Sequence, residues 1–189
     1  VEDCYAAARE VFLHSGLLDV PPENVVLLGD SAGGNLAAAV SLMARDRGEF
    51  LPTGQILIYP AVGNDHSEDS PFPSVRENGT GYLLTSKRVR DFFALYRNSE
   101  YDLENPYFAP LTAKSFVDQP NTLIITAEFC PLRDEGEAYG DRLREGGNHV
   151  ETHRIPDALH GYFSLPVWFK HVKETYAIIN SFLEENYDG

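Results

Sequence analysis

Val25-Val26-Leu27-Leu28-Gly29-Asp30-Ser31-Ala32-Gly33-Gly34 leads into an Ala/Leu-rich run that continues to Arg47. Val25 to Leu28 is wholly apolar and comes after Pro21-Pro22, which predicts a short strand buried on both faces. The run after Gly34 predicts a helix that ends near Gly48. Between the two stands a Gly-x-Ser-x-Gly, and this order of strand, sharp turn and helix gives the motif its meaning. A strained turn of this kind lifts the Ser31 hydroxyl out at the carboxyl end of a sheet and aims the Ala32 N–H at a developing oxyanion. Gly29 and Gly33 are expected to remove side chains that would collide there. The rival reading is a glycine-rich turn in which Ser31 only caps the helix.

The same alternation continues on either side. Residues 2–15 place Tyr5, Ala8, Val11 and Phe12 at helical spacing before Gly16, which predicts a helix. Gln55 to Tyr59 predicts a second buried strand, halted by Pro60. Residues 61–81 carry Asp, Ser, Pro, Asn and Gly in clusters and predict a long surface loop of the kind that is usually functional. Ser86 is the expected cap of a helix to about Arg97, with Val89, Phe92, Phe93 and Tyr96 as its buried stripe. Further strands are predicted at 122–126 and 150–155, with helices at 132–145 and 167–185. The sum is an α/β chain with a mostly parallel sheet of about four strands, right-handed crossovers and helices on both faces. No repeat or linker interrupts it, so 1–189 reads as a single domain.

Composition narrows the function. The 15 Lys+Arg against 29 Asp+Glu give a net charge of −14, which repels phosphate backbones and excludes nucleic acid as an expected partner. A hydrophobic fraction of 43% with 12% aromatics suits a packed core. Cys4 and Cys130 are the only cysteines and form no disulfide framework, so a reducing, cytoplasmic compartment is expected. Leu36 to Ala44, the longest nearly apolar run, is far below the roughly 18 residues of a membrane span. No basic and apolar leader opens the chain at Val1. The only methionine is Met43, so the chain is expected to be processed or to belong to a longer product.

A serine is a poor nucleophile until a base takes its proton. Of the six histidines, His14, His66 and His171 read as surface residues. His149 and His153 would lie roughly 13 Å apart along a strand, too far to share a metal. His160 comes after the fourth strand in Pro156-Asp157-Ala158-Leu159-His160-Gly161-Tyr162, at the same carboxyl edge as Ser31.

Gly-Asp-Ser-Ala-Gly-Gly at 29–34, Ala127-Glu128-Phe129-Cys130-Pro131-Leu132-Arg133-Asp134-Glu135-Gly136 and His160-Gly161-Tyr162 occur in this order. Together they resemble the hormone-sensitive-lipase-like family of α/β-hydrolase-fold carboxylesterases, over nearly the whole chain. The resemblance implies that Ser31 is the nucleophile, His160 the general base and the Ala32 N–H one oxyanion donor, with Gly29, Asp30, Gly33 and Gly34 building the elbow. It implies hydrolysis of a small-molecule ester through an acyl-enzyme, without metal or organic cofactor.

Two departures stand out. The family's Asp-Pro-Leu-x-Asp carries the triad acid at its first position, and here that position is Cys130; Asp134 matches only the second Asp. A neutral thiol does not fix the imidazole tautomer as a carboxylate does. Glu128 and Asp134 are candidate substitute acids, and a Ser31-His160-Cys130 arrangement is the other option. The family's His-Gly-Gly oxyanion loop also has no counterpart in this sequence. A second chain or an N-terminal segment is therefore expected to complete the sheet, which would otherwise leave an apolar edge open. A ligand-binding relative without turnover, or a truncated remnant, are the alternatives to an esterase.

Lesser signals carry bland expectations. Asn78-Gly79-Thr80 reads as a turn. Asp65-His66-Ser67-Glu68-Asp69 reads as a solvated acidic loop, since Ser70 and Arg76 replace the Gly and Glu that a calcium loop needs. Phe92, Phe93 and Tyr96 could line an acyl pocket, although aromatics at helical spacing are mostly core.

Overall fold

The computed structural model describes residues 1–187, so the last two residues of the expected 1–189 domain lie outside the described residues. Four strands, β1 (Val26–Asp30), β2 (Gly54–Ile58), β3 (Asn121–Phe129) and β4 (Val150–Leu159), form one sheet in the order β1-β2-β3-β4. All neighbouring pairs are parallel. Each connection carries a helix: α2 (Ala32–Arg47) from β1 to β2, α3 (Pro73–Glu77) and α4 (Ser86–Tyr96) from β2 to β3, and α5 (Arg133–Glu145) from β3 to β4. Helix α1 (Glu2–Leu13) precedes the sheet and α6 (Lys170–Tyr187) comes after it.

Strand register decides which residues share a face. Leu57 pairs with Ile124, and both pack with Ala37, Ala38 and Leu42 of α2 and Tyr139 and Leu143 of α5. The alternate residues Ile56, Ile58, Leu123 and Ile125 meet Val172, Ile179 and Phe182 of α6. Strands covered by helices on both faces need consecutive apolar residues, and Ile56 to Ile58 of β2 and Leu123 to Ile125 of β3 supply them. Helix α1 lies on α2 through Tyr5 against Val40, Met43 and Ala44.

Four sequence expectations are corrected. β1 is an edge strand with only partial cover, and Leu28 is 53% exposed; an apolar run does not report which neighbours reach it. The cap of α4 is Thr85, whose hydroxyl accepts from Arg88 N at 3.2 Å, while the Ser86 hydroxyl donates to Val75 O. The 61–81 excursion is no surface loop: it contains α3 and buries Val62, His66, Ser70, Ser74, Val75 and Asn78. Finally, β4 runs beyond residue 155 to Leu159. Ala127 pairs with Ile155 and Phe129 with Leu159, so Pro156, Asp157 and Ala158 stand opposite Glu128 alone. Pro156 lacks a ladder N–H and Asp157 has φ 60°, the conditions for a bulge that bends the strand and redirects the residues after it. The first residue beyond the bent strand is His160.

Candidate active site

Ser31 sits between β1 and α2 with φ 54° and ψ −116°, a left-handed conformation for a residue with a side chain. Its N–H donates to Ile58 O at 2.9 Å, which ties the turn to β2. Two glycines make the turn possible. A Cβ on Gly29 would stand 2.1 Å from Gly33 O, and one on Gly34 would stand 2.9 Å from Pro60 Cβ. Gly33, expected to be needed for clearance, is not: a Cβ there meets nothing within 4 Å. The glycine that α2 needs against β2 is the second of the pair. Ala32 opens α2, where first-turn N–H groups have no partner within the helix and are free to face an anion.

The β4 bulge brings His160 to this turn. Its Nε2 lies 2.9 Å from Ser31 Oγ, and its Nδ1 lies 3.1 Å from Cys130 Sγ. Gly161, at φ 83°, turns the chain away immediately afterwards. Burial pushes the imidazole down to about 4, against the pull of the Asp30 and Glu135 carboxylates. Cys130 comes directly after β3 and is fully buried. Burial pushes its thiol up to about 12, although the Leu132 N–H donates to the sulfur at 3.3 Å. The thiol is therefore uncharged, and the two distances fit either imidazole tautomer. If Nδ1–H donates to sulfur, Nε2 is free to accept from Ser31. If S–H donates to Nδ1, Nε2 carries the proton and cannot act as a base.

The two other carboxylates near this position face different partners. Glu128 Oε2 accepts from Asp157 N at 2.7 Å, fastening the β4 bulge. Asp134 accepts from Arg133 Nε and Ser74 N, each at 2.7 Å. Burial would raise its carboxyl, but Arg133 and the Ser74 amide outweigh that and hold it below its ordinary value. Neither carboxylate has a hydrogen bond to His160 among the described residues.

Several residues that the sequence did not single out for the site support it. Asn78 is buried, and its amide donates to the carbonyls of Glu128 and Cys130 at 3.1 and 3.2 Å, clamping the end of β3. His66, expected at the surface, is 2% exposed: its Nε2 lies 2.6 Å from Glu135 Oε2, and its ring stacks on Phe93. Glu135, itself fully buried, also accepts from Val62 N and Gly63 N at 2.9 and 3.0 Å. The Tyr59 ring lies 4.6 Å from the His160 ring, and its hydroxyl donates to Asp30 at 3.2 Å. The sequence carries no signal for the contacts of Asn78, His66 and Glu135, each of which stands among polar neighbours.

An apolar cavity of about 410 Å³ opens beside Ser31 and Ala32, walled by Leu36, Leu84, Phe92, Phe93, Tyr96 and Leu132. Phe92 and Tyr96 are 60% and 46% exposed. The stripe expected to be core is therefore, at these two positions, the wall of a cavity. Among the described residues no cluster of three or more His, Cys, Asp or Glu is arranged to hold a metal ion. None of the described helices is long and apolar enough to cross a membrane.

Known proteins share this fold. Residues 1–164 match a family model described as alpha/beta hydrolase fold. An arylesterase of Saccharolobus solfataricus is 36% identical over 167 residues, covering 88% of this chain and 53% of that protein. Esterase LipI of Mycobacterium tuberculosis is 37% identical over 164 residues, covering 86% and 50%. Among solved structures, a hyperthermophilic esterase from Pyrobaculum calidifontis aligns with a TM-score of 0.89 at 35% identity, covering 97% of this chain and 60% of that one. The thermostable carboxylesterase EstE1 from a metagenomic library aligns at 0.86 and 34%, covering 96% and 63%. The chain spans about half the length of the curated relatives it matches. It belongs to the alpha/beta hydrolase fold family, in the hormone-sensitive-lipase-like group of carboxylesterases.

Proposed function

We propose that the chain carries the nucleophile and base of a serine carboxylesterase, with Ser31 attacking small carboxylic esters and His160 moving the proton. The observation that carries this reading is the 2.9 Å contact between Ser31 Oγ and His160 Nε2 on a strained strand-to-helix turn, 129 residues apart in sequence. In the first half-reaction Ser31 Oγ bonds to the ester carbonyl carbon while its proton passes to Nε2. The Ala32 N–H, at the start of α2, faces the oxyanion. Collapse breaks the bond to the alcohol oxygen, which leaves with the Nε2 proton. Water then attacks the acyl-enzyme by the same path in reverse, freeing the acid and restoring Ser31.

The cavity bounds the substrate. It is walled by apolar side chains and borders Ser31, which suits an uncharged acyl or alkyl group rather than a sugar or a phosphorylated alcohol. The net charge of −14 likewise favours neutral esters over anionic ones.

A fluorophosphonate probe tests the reading. It should label the folded parent chain at Ser31 and leave Ser31→Ala unlabelled, and the same substitution should abolish hydrolysis of short p-nitrophenyl esters. A folded chain that neither reacts with the probe nor turns over these esters overturns the proposal.

A further inference from the structure

We infer that Tyr59 is the positioning residue that holds the His160 imidazole toward Ser31, and that it bears this task because the group beside Nδ1 is a thiol. The inference rests on the reading of Ser31 and His160 as nucleophile and base.

Tyr59 is the first residue beyond β2 and has φ 35°, while its N–H donates to Ile125 O. An aromatic residue in this region is strained, and such strain persists only where the surroundings hold it, most often at functional sites. The consequence is visible in where the ring ends up. It lies 4.6 Å from the His160 ring at 56°, and Tyr162 meets it edge-on at 5.5 Å. Its hydroxyl donates to Asp30 Oδ2 at 3.2 Å, and Asp30 is the residue before Ser31. One buried side chain thus touches both the base and the strand that delivers the nucleophile.

The thiol makes this contact matter. A carboxylate would grip Nδ1–H through a charge-assisted bond, whereas sulfur is a weak donor and a weak acceptor. With less orientation coming from the hydrogen bond, more must come from packing against the ring faces. The groups that face His160 are the Ser31 hydroxyl, the Cys130 thiol and the Tyr59 ring, with the carboxylates of Asp30 and Glu135 at longer range.

The test is a cycle on the full chain, read as the rate at which a fluorophosphonate labels Ser31. Tyr59→Leu should slow labelling about tenfold or more in the parent and only about threefold in the Cys130→Asp background, because the carboxylate takes over the orienting task. Tyr59→Phe, which keeps the ring, should stay within about threefold of the parent. Equal losses from Tyr59→Leu in both backgrounds, or a Tyr59→Phe loss as large as that of Tyr59→Leu, overturn the inference.

A measurement on the unsubstituted chain covers the case in which Tyr59→Leu does not fold. Nuclear Overhauser contacts between the Tyr59 ring protons and His160 Hε1 are expected, and their absence defeats the positioning role directly. No labelling in any variant, with those contacts intact, instead defeats the esterase reading.

Discussion

Cys130 Sγ stands 3.1 Å from His160 Nδ1 while Ser31 Oγ stands 2.9 Å from Nε2 of the same ring, so an uncharged thiol occupies the place that governs the tautomer of this imidazole. The Leu132 N–H already points at the sulfur, so a carboxylate at this position would find one backbone donor and one imidazole donor waiting. Cys130→Asp is therefore expected to raise ester turnover at least about tenfold, with about 10⁴ as the ceiling set by the loss seen when a triad carboxylate is neutralised. Steady-state kinetics with a short p-nitrophenyl ester decide it. Unchanged turnover in a folded variant would mean that the acid is not what limits the chain.

The same pair governs the response to pH. In the parent, burial holds the imidazole down to about 4, so the acid limb of kcat/KM should fall near that value. The new carboxylate of Cys130→Asp favours the imidazolium and should move the limb upward, toward or past the ordinary histidine value. An acid limb that stays put in the variant would show that Nδ1 does not bond to position 130.

The lowered imidazole also has a consequence for stability. Its ordinary value of 6.5 lies above the folded one of about 4, so between these pH values the unfolded chain binds more protons than the folded one. Stability therefore rises with pH across this window and levels off above it. The full span is worth about 3 kcal/mol. His160→Gln should flatten this part of the curve in urea titrations at pH 4.5 and 7, and a slope equal to that of the parent would refute the assignment.

How much of this was readable in advance differs by residue. Ser31 and His160 could be brought together from sequence because a parallel sheet sends every βα turn to one edge, and each residue comes directly after a strand. The bulge at Pro156–Ala158 that aims His160 was not readable, because a strand's local pattern does not record which partner residue it skips. His66 was misplaced for a related reason. Its neighbours are polar, and only the fold reveals that Glu135, 69 residues away, meets it inside the protein. Leu28 failed in the opposite sense: a buried-strand pattern needs neighbours, and among the described residues no strand lies beyond β1.

The glycines of the elbow give a test that separates clearance from flexibility. Gly29→Ala places a methyl against Gly33 O and Gly34→Ala places one against Pro60, whereas Gly33→Ala meets open space. The first two should destabilise the chain by about 2 kcal/mol or more through forced shifts of backbone. Gly33→Ala lies in the first turn of α2 and should be neutral or stabilise by up to about 1 kcal/mol, as glycine is a poor helix former. Urea midpoints of the three variants give the ranking, and a Gly33→Ala as damaging as Gly29→Ala would contradict the geometry of the turn.

The buried Glu135 should be the most sensitive charge in the chain. It accepts from two backbone amides and lies 2.6 Å from His66, and the His66 ring in turn backs Phe93, a wall of the cavity beside Ser31. Glu135→Gln keeps the shape but loses the charge-assisted bonds, at an expected cost of about 3 kcal/mol. His66→Ala should cost at least as much in stability, because it leaves the buried Glu135 carboxylate short of a partner, and it should also change selectivity, because the freed Phe93 no longer fixes the width of the cavity. The ratio of kcat/KM for butyrate over acetate p-nitrophenyl esters should change severalfold in His66→Ala while Ser31 remains reactive to a fluorophosphonate. An unchanged ratio in a folded His66→Ala variant would show that this stack does not shape the substrate pocket.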